Sequence, residues 1–121
     1  MNKLITYGKQ FIDKKDVLAV SKSLSDDKIT TGKKVNLFEN KLKKYFKSKY
    51  AAVCNSGTSA LFLALLSIDI KKNDKIVMPA INFISSYNLC KFLGANVYLA
   101  DVDHSTGQIT PDTIIECCKK N

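Results

Sequence analysis

The sequence contains no tryptophan and no arginine, one histidine and two prolines. Each scarcity excludes something. Without arginine there is no planar guanidinium fork, the group that grips phosphates and guanine edges through two hydrogen bonds at once. The 19 basic residues are all lysine, and against 11 acidic residues they give a net charge of +8. They lie scattered, at 14–15, 33–34, 41–44, 47–49, 71–72 and 119–120 among other positions. The densest stretch, Lys41 to Lys49, carries Leu42, Tyr45 and Phe46 at helical spacing. It reads as a solvated helix face, so no nucleic-acid partner is expected. The lone histidine, His104, and four cysteines without a CxxC pair leave no zinc-ligand spacing, and no metal site is expected. Cys54, Cys90, Cys117 and Cys118 read as small core residues of a reducing compartment. No apolar run nears the length of a membrane span, and the N-terminus lacks the apolar stretch of a signal peptide. A soluble cytoplasmic protein without a membrane partner is expected.

What is present is a periodic pattern that changes half-way. The 121 residues, 45% of them apolar, suffice for one domain. Asp13 is a candidate N-cap for a helix over 13–24, with Asp16 in its first turn. Residues 25–33 read as a loop turning at Gly32. Val35, Phe38, Leu42, Tyr45 and Phe46 then mark the buried face of a second helix. These elements make residues 1–49 a helical arm, and residues 50–121 an α/β segment. Ala51-Ala52-Val53-Cys54 reads as a buried strand. A helix follows over 58–68, with Leu61, Phe62, Leu65 and Leu66 inward. Residues 75–78 read as a second strand stopped by Pro79, and 83–93 as a helix closed by Gly94. A third strand is expected over 97–100, a turn over 103–107, and a last helix capped by Thr110 with Pro111 in first place. Alternating apolar strands and helices predict a parallel sheet with right-handed crossovers, flanked by helices.

Ligands of open parallel sheets sit beyond the carboxyl ends of the strands. Three segments fall there. Asn55-Ser56-Gly57-Thr58-Ser59 opens an apolar helix, where free N–H groups and the helix dipole favour an anion. Gly57 allows close backbone approach, and Thr58 and Ser59 add hydroxyls. The run lacks the Gly-Lys-Ser/Thr of a P-loop, and it is neither GxGxxG nor GxSxG. It reads as a phosphate cup or as a plainly capped helix. Phe83, in Asn82-Phe83-Ile84-Ser85-Ser86, could stack on a flat cofactor or belong to the core. Asp101 and Asp103 read as turn residues rather than an acid–base pair.

Four stretches in register resemble the DegT/StrS family of pyridoxal-phosphate (PLP)-dependent sugar aminotransferases. They are Ile29-Thr30-Thr31-Gly32-Lys33-Lys34-Val35 followed by Phe38-Glu39; Asn55-Ser56-Gly57-Thr58-Ser59-Ala60-Leu61; Pro79 with Asn82-Phe83; and Gly94-Ala95-Asn96-Val97 leading to Asp101-Val102-Asp103. Asn82 stands where the family usually has threonine. The resemblance implies the N-terminal part of a type I PLP-transferase large domain and a homodimer. It implies transfer of an amino group, usually from glutamate, to a nucleotide-linked keto-sugar. Gly57, Thr58 and Ser59 would hold the cofactor phosphate, and Phe83 would stack on its ring. Tyr7, Asp27, Lys28, Ile29 and Thr30 would face the sugar. The N-terminal match is similar to transaminases that make 4-amino-4,6-dideoxy sugars on UDP-N-acetylhexosamines. In this family the Schiff-base lysine, the acidic partner of the pyridine nitrogen and the small domain lie further along. The resemblance therefore implies an N-terminal fragment, truncated and inactive alone, with no catalytic residue of its own. Read without the resemblance, the same helix start suits a non-catalytic module binding phosphoanions or nucleotides.

Overall fold

A computed structural model describes residues 8–120. The chain divides into two compact units, Met1–Val53 and Cys54–Asn121.

The first unit holds two helices. Asp13 caps α1 (Lys14–Ser23) through a capping box. Its carboxylate accepts from Lys15 N and Asp16 N at 2.7 and 3.0 Å, and Asp13 N donates back to Asp16. Helix α2 (Lys33–Phe46) starts at Gly32. That glycine is dictated by space, because a Cβ there would stand 2.6 Å from the Lys28 carbonyl oxygen. Of the apolar face expected on α2, Val35 and Leu42 are half-buried, while Phe38, Tyr45 and Phe46 are exposed. Periodicity marks which face is apolar; what covers it is decided elsewhere.

The second unit runs α3 (Gly57–Ser67), β1 (Lys75–Pro79), α4 (Ser85–Phe92), β2 (Asn96–Ala100) and α5 (Pro111–Lys120). Strands β1 and β2 pair in parallel, Lys75 opposite Asn96 and Pro79 opposite Ala100. Pro79 ends β1 from within, since proline can close a ladder but not continue it as a donor. The register sets both strand ends side by side, and Ala80 N prolongs the ladder by donating to Ala100 O at 2.8 Å. Met78, Cys90 and Ala95 form the core, with Leu65 of α3 and Ile76, Tyr87 and Val97 packed against them. Helix α4 ends as the sequence predicts. Gly94 takes φ +81°, Gly94 N donates to Lys91 O, and Ala95 N to Cys90 O, both at 3.0 Å. Thr110 caps α5, its hydroxyl accepting from Thr113 N at 3.3 Å.

Several expectations need correction. Residues 51–54 form no strand, and the sheet has two strands among the described residues. A strand exists only through its ladder. Here Val53 N donates instead to the Glu39 carboxylate at 3.1 Å. Helix α4 begins at Ser85 rather than Phe83. The cause is local: Phe83 N donates to Asn82 Oδ1 at 2.7 Å, and the Ser86 hydroxyl donates to Phe83 O at 3.1 Å. These side chains offer the backbone an alternative to the helical ladder. On α3, Phe62 and Leu65 are half-buried, whereas Leu61 and Leu66 are exposed. Cys90 and Cys117 are buried as expected of core thiols, but Cys54 and Cys118 are exposed. No helix of the described residues is long and apolar enough to cross a membrane.

Candidate functional site

The second unit carries an open cleft of about 600 Å³ between the starts of α3 and α4. Gly57, Thr58 and Leu61 line one side, and Asn82, Phe83, Ser85 and Ser86 the other.

The α3 side is built by competition for donors. Ser56 is the N-cap: its hydroxyl accepts from Ser59 N at 3.1 Å, and its carbonyl from Ala60 N at 3.0 Å. Ser59 is turned into the chain, its hydroxyl bonded to Asn55 Oδ1 at 2.9 Å and to the Ser56 hydroxyl at 3.0 Å. It does not line the cleft. The two N–H groups of the first turn that remain, at Gly57 and Thr58, have no partner among the described residues, nor has the Thr58 hydroxyl. Three donors therefore stand at the positive end of a helix. Gly57 has no positive φ, and a Cβ there would meet nothing within 4 Å. Neither backbone strain nor a protein neighbour requires glycine, whereas a ligand at the cleft wall would. The donor set fits a phosphate group, three hydrogen-bond donors facing acceptor oxygens.

Phe83 supplies the flat surface. It is 74% exposed, in the loop that joins β1 to α4. Asn82 fixes the loop, donating to the Ser86 hydroxyl at 3.0 Å while accepting from Phe83 N. An exposed ring beside an anion cradle suits an aromatic phosphate. No lysine, histidine or carboxylate lines the cleft among the described residues.

The chemistry at the end of β2 is different. Asp103 Oδ1 accepts from the Ser105 and Thr106 hydroxyls and from both their N–H groups. The Ser105 and Thr106 hydroxyls lead in holding its carboxyl below the usual carboxylate range. The turn closes with Gly107 at φ +67°, its N–H donating to Asp103 O at 2.8 Å. Asp103 is thus a turn residue, as the sequence suggests. Asp101 Oδ1 accepts from Val102 N at 2.8 Å.

The first unit has a cavity of its own, about 560 Å³, lined by Asp27 and Lys28 together with Asp26, Gly32 and Lys34. Lys34 pairs with Asp26 at 3.5 Å. Ile29 and Thr30 are exposed and do not line it. Tyr7 lies outside the described residues.

Residues 10–121 match the DegT/DnrJ/EryC1/StrS aminotransferase family. The chain belongs to that family. It is 40% identical over 99 residues to a Campylobacter jejuni UDP-4-amino-4,6-dideoxy-N-acetyl-beta-L-altrosamine transaminase, covering 82% of this chain and 26% of that one. Among solved structures it is similar to an aminotransferase from Psychrobacter cryohalolentis, with TM-score 0.79 and 32% identity over 88% of this chain and 28% of that one. It is also similar to the E. coli GDP-4-keto-6-deoxy-D-mannose-3-dehydratase with bound hydrated PLP. There the TM-score is 0.81 and the identity 27%, over 89% of this chain and 29% of that one. The α/β fold is that of these two solved enzymes, in the part that the chain spans. That part is about a quarter of the length of the curated relatives.

The sequence sets Asn82, Ser85 and Ser86 in a strand-end segment without giving them a role, and the structure places all three in the cleft lining.

Proposed function

We propose that this chain supplies the phosphate- and ring-binding part of a PLP-dependent aminotransferase acting on a nucleotide-linked keto-sugar. One observation carries the reading: free donors at Gly57 and Thr58 share a cleft with the exposed ring of Phe83. The names of its relatives support the substrate class and the cofactor. When bound, PLP supplies an aldehyde to carry the amino group and a ring to hold electrons. The chain's own residues bind and orient. The Gly57 and Thr58 N–H groups and the Thr58 hydroxyl hold phosphate oxygens, with the α3 dipole adding to the attraction. Phe83 covers one ring face and keeps water from it. Ser59 keeps the cup in shape through Asn55 and Ser56.

Family membership supports further parts of the reading. Residues 1–49 act as a helical arm and 50–121 as part of the PLP-binding domain. Residues 27–30 contact the sugar, glutamate is the amino donor, and the working form is a cytoplasmic homodimer. The similar E. coli structure is a GDP-4-keto-6-deoxy-D-mannose-3-dehydratase, so the fold alone does not fix the reaction.

The test is a titration of the chain with PLP, UDP and inorganic phosphate, followed by absorbance and by ³¹P resonance. Preference for PLP is expected. Equal affinity for all three would favour a general phosphoanion module. Borohydride treatment of the PLP mixture is expected to leave no stoichiometric pyridoxyl-lysine, since no lysine lines the cleft. A single stoichiometric adduct would overturn that part of the reading.

A further inference from the structure

Two adjacent serines open α4, and they differ. The Ser86 hydroxyl is engaged twice, donating to Phe83 O and accepting from Asn82 Nδ2. Ser85 is the buried polar residue of the core, 7% exposed, and it lines the same cleft as Gly57 and Thr58. No hydrogen bond occupies its hydroxyl among the described residues, yet its oxygen is not sealed from the cleft. It does not serve its helix either, because the N-cap position is Ile84 and no side chain caps α4. A hydroxyl that stays open to the cleft without a protein partner keeps its donor for whatever occupies the cleft, whereas alanine would fill the same space and offer none. The arrangement makes sense if a ligand completes it. The start of α4 also brings a second helix N-terminus to the cleft that α3 already opens.

We infer that Ser85 is a further binding residue of this cleft, its hydroxyl donating a hydrogen bond to an acceptor oxygen of the ring-bearing phosphate held by Gly57, Thr58 and Phe83. The inference rests on the proposed cofactor site and adds a contact to it. It makes the cleft two-sided: α3 holds the ligand through two main-chain donors and the Thr58 hydroxyl, and α4 through the Ser85 hydroxyl.

The experiment is a PLP titration of the full chain beside its Ser85→Ala, Ser85→Cys and Thr58→Val variants. Circular dichroism and a thermal midpoint are read for each. Ser85→Ala is expected to weaken PLP binding roughly tenfold or more, the effect of losing one hydrogen bond to a charged group, with an unchanged fold. Ser85→Cys, nearly isosteric but a weak donor, is expected to weaken it similarly, and it carries the test if the alanine variant fails to fold. Full-strength binding by both Ser85 variants, with weakened binding by Thr58→Val, would overturn the role of Ser85 and leave the cofactor site standing. Absence of PLP binding by the unaltered chain would overturn the site itself, and Ser85 with it.

Discussion

The loop before α3 and the turn after β2 are both polar, and both are built from Asx, Ser, Thr and Gly. They differ in what their hydrogen bonds leave over. In the turn, Asp103 Oδ1 takes the N–H and hydroxyl of both Ser105 and Thr106, and Gly107 N closes on the Asp103 carbonyl. The turn directs its bonds inward to itself. In the cup, Ser56 and Asn55 occupy Ser59, but Gly57 N, Thr58 N and the Thr58 hydroxyl stay open. Composition cannot separate a turn from a binding site; unengaged donors beside a cleft can.

The sharpest way to break the contrast is to fill the cup with the wrong charge. Gly57→Asp places a carboxylate where an anion should sit, in space that is open to a side chain. Like-charge contact costs several kcal/mol, so PLP affinity should fall by roughly a hundredfold or more. The thermal midpoint should hold, because aspartate is welcome in the first turn of a helix. A calorimetric titration of the variant checks it. Retained affinity would mean that the anion binds elsewhere.

Thr58→Val removes one donor while keeping the shape of the side chain. A hydrogen bond to a charged group is worth about 1.5–3 kcal/mol, so binding should weaken roughly tenfold to a hundredfold. The same titration reads it, and stability should barely change, since no hydrogen bond inside the described chain uses that hydroxyl.

The complementary change is Asp103→Ala. It should lower the thermal midpoint and leave PLP affinity alone, the reverse of the cup variants. Its pH dependence follows from the carboxyl being held below the usual range. A lowered folded pKa means that the ionised form is stabilised by folding. That stability is therefore complete above the unfolded carboxylate pKa of about 3.9 and is lost as pH falls through the folded value. Melting curves of the two proteins should differ at neutral pH and converge in acid. A gap that persists undiminished at low pH would mean that the hydroxyls, rather than the charge, hold the turn.

How much of this was legible beforehand depends on whether the information is local. The caps at Asp13 and Thr110 and the Gly94 closure were readable, because each acts through residues two to four positions away. The strand expected over 51–54 was not. Its apolar run specifies burial but not a ladder partner, and the Glu39 carboxylate takes Val53 N instead. The start of α4 was misplaced because Asn82 and Ser86 divert the backbone near Phe83. In the cleft, Gly57, Thr58 and Phe83 could be named from motif positions. That Ser59 turns inward while Ser85 faces the cleft could not, because identical side chains were separated only by which acceptors stood near.

The smallest expected effect probes the border between open and engaged groups through the thiols. Cys54 is exposed and adjoins the cup, its thiol contacting Ser56 O at 3.6 Å. Cys90 is buried, and burial pushes its thiol up from the ordinary value, which keeps it protonated and unreactive at neutral pH. Iodoacetamide should therefore label Cys54 and Cys118 in the folded chain and reach Cys90 only on unfolding. Adding PLP should slow Cys54 modestly and leave Cys118 unchanged, because only the former lies at the mouth of α3. Peptide mass mapping over time reads both rates. Equal slowing of the two thiols would place the ligand's influence in the fold as a whole. Slowing confined to Cys54 ties it to the helix start, where donors stand open.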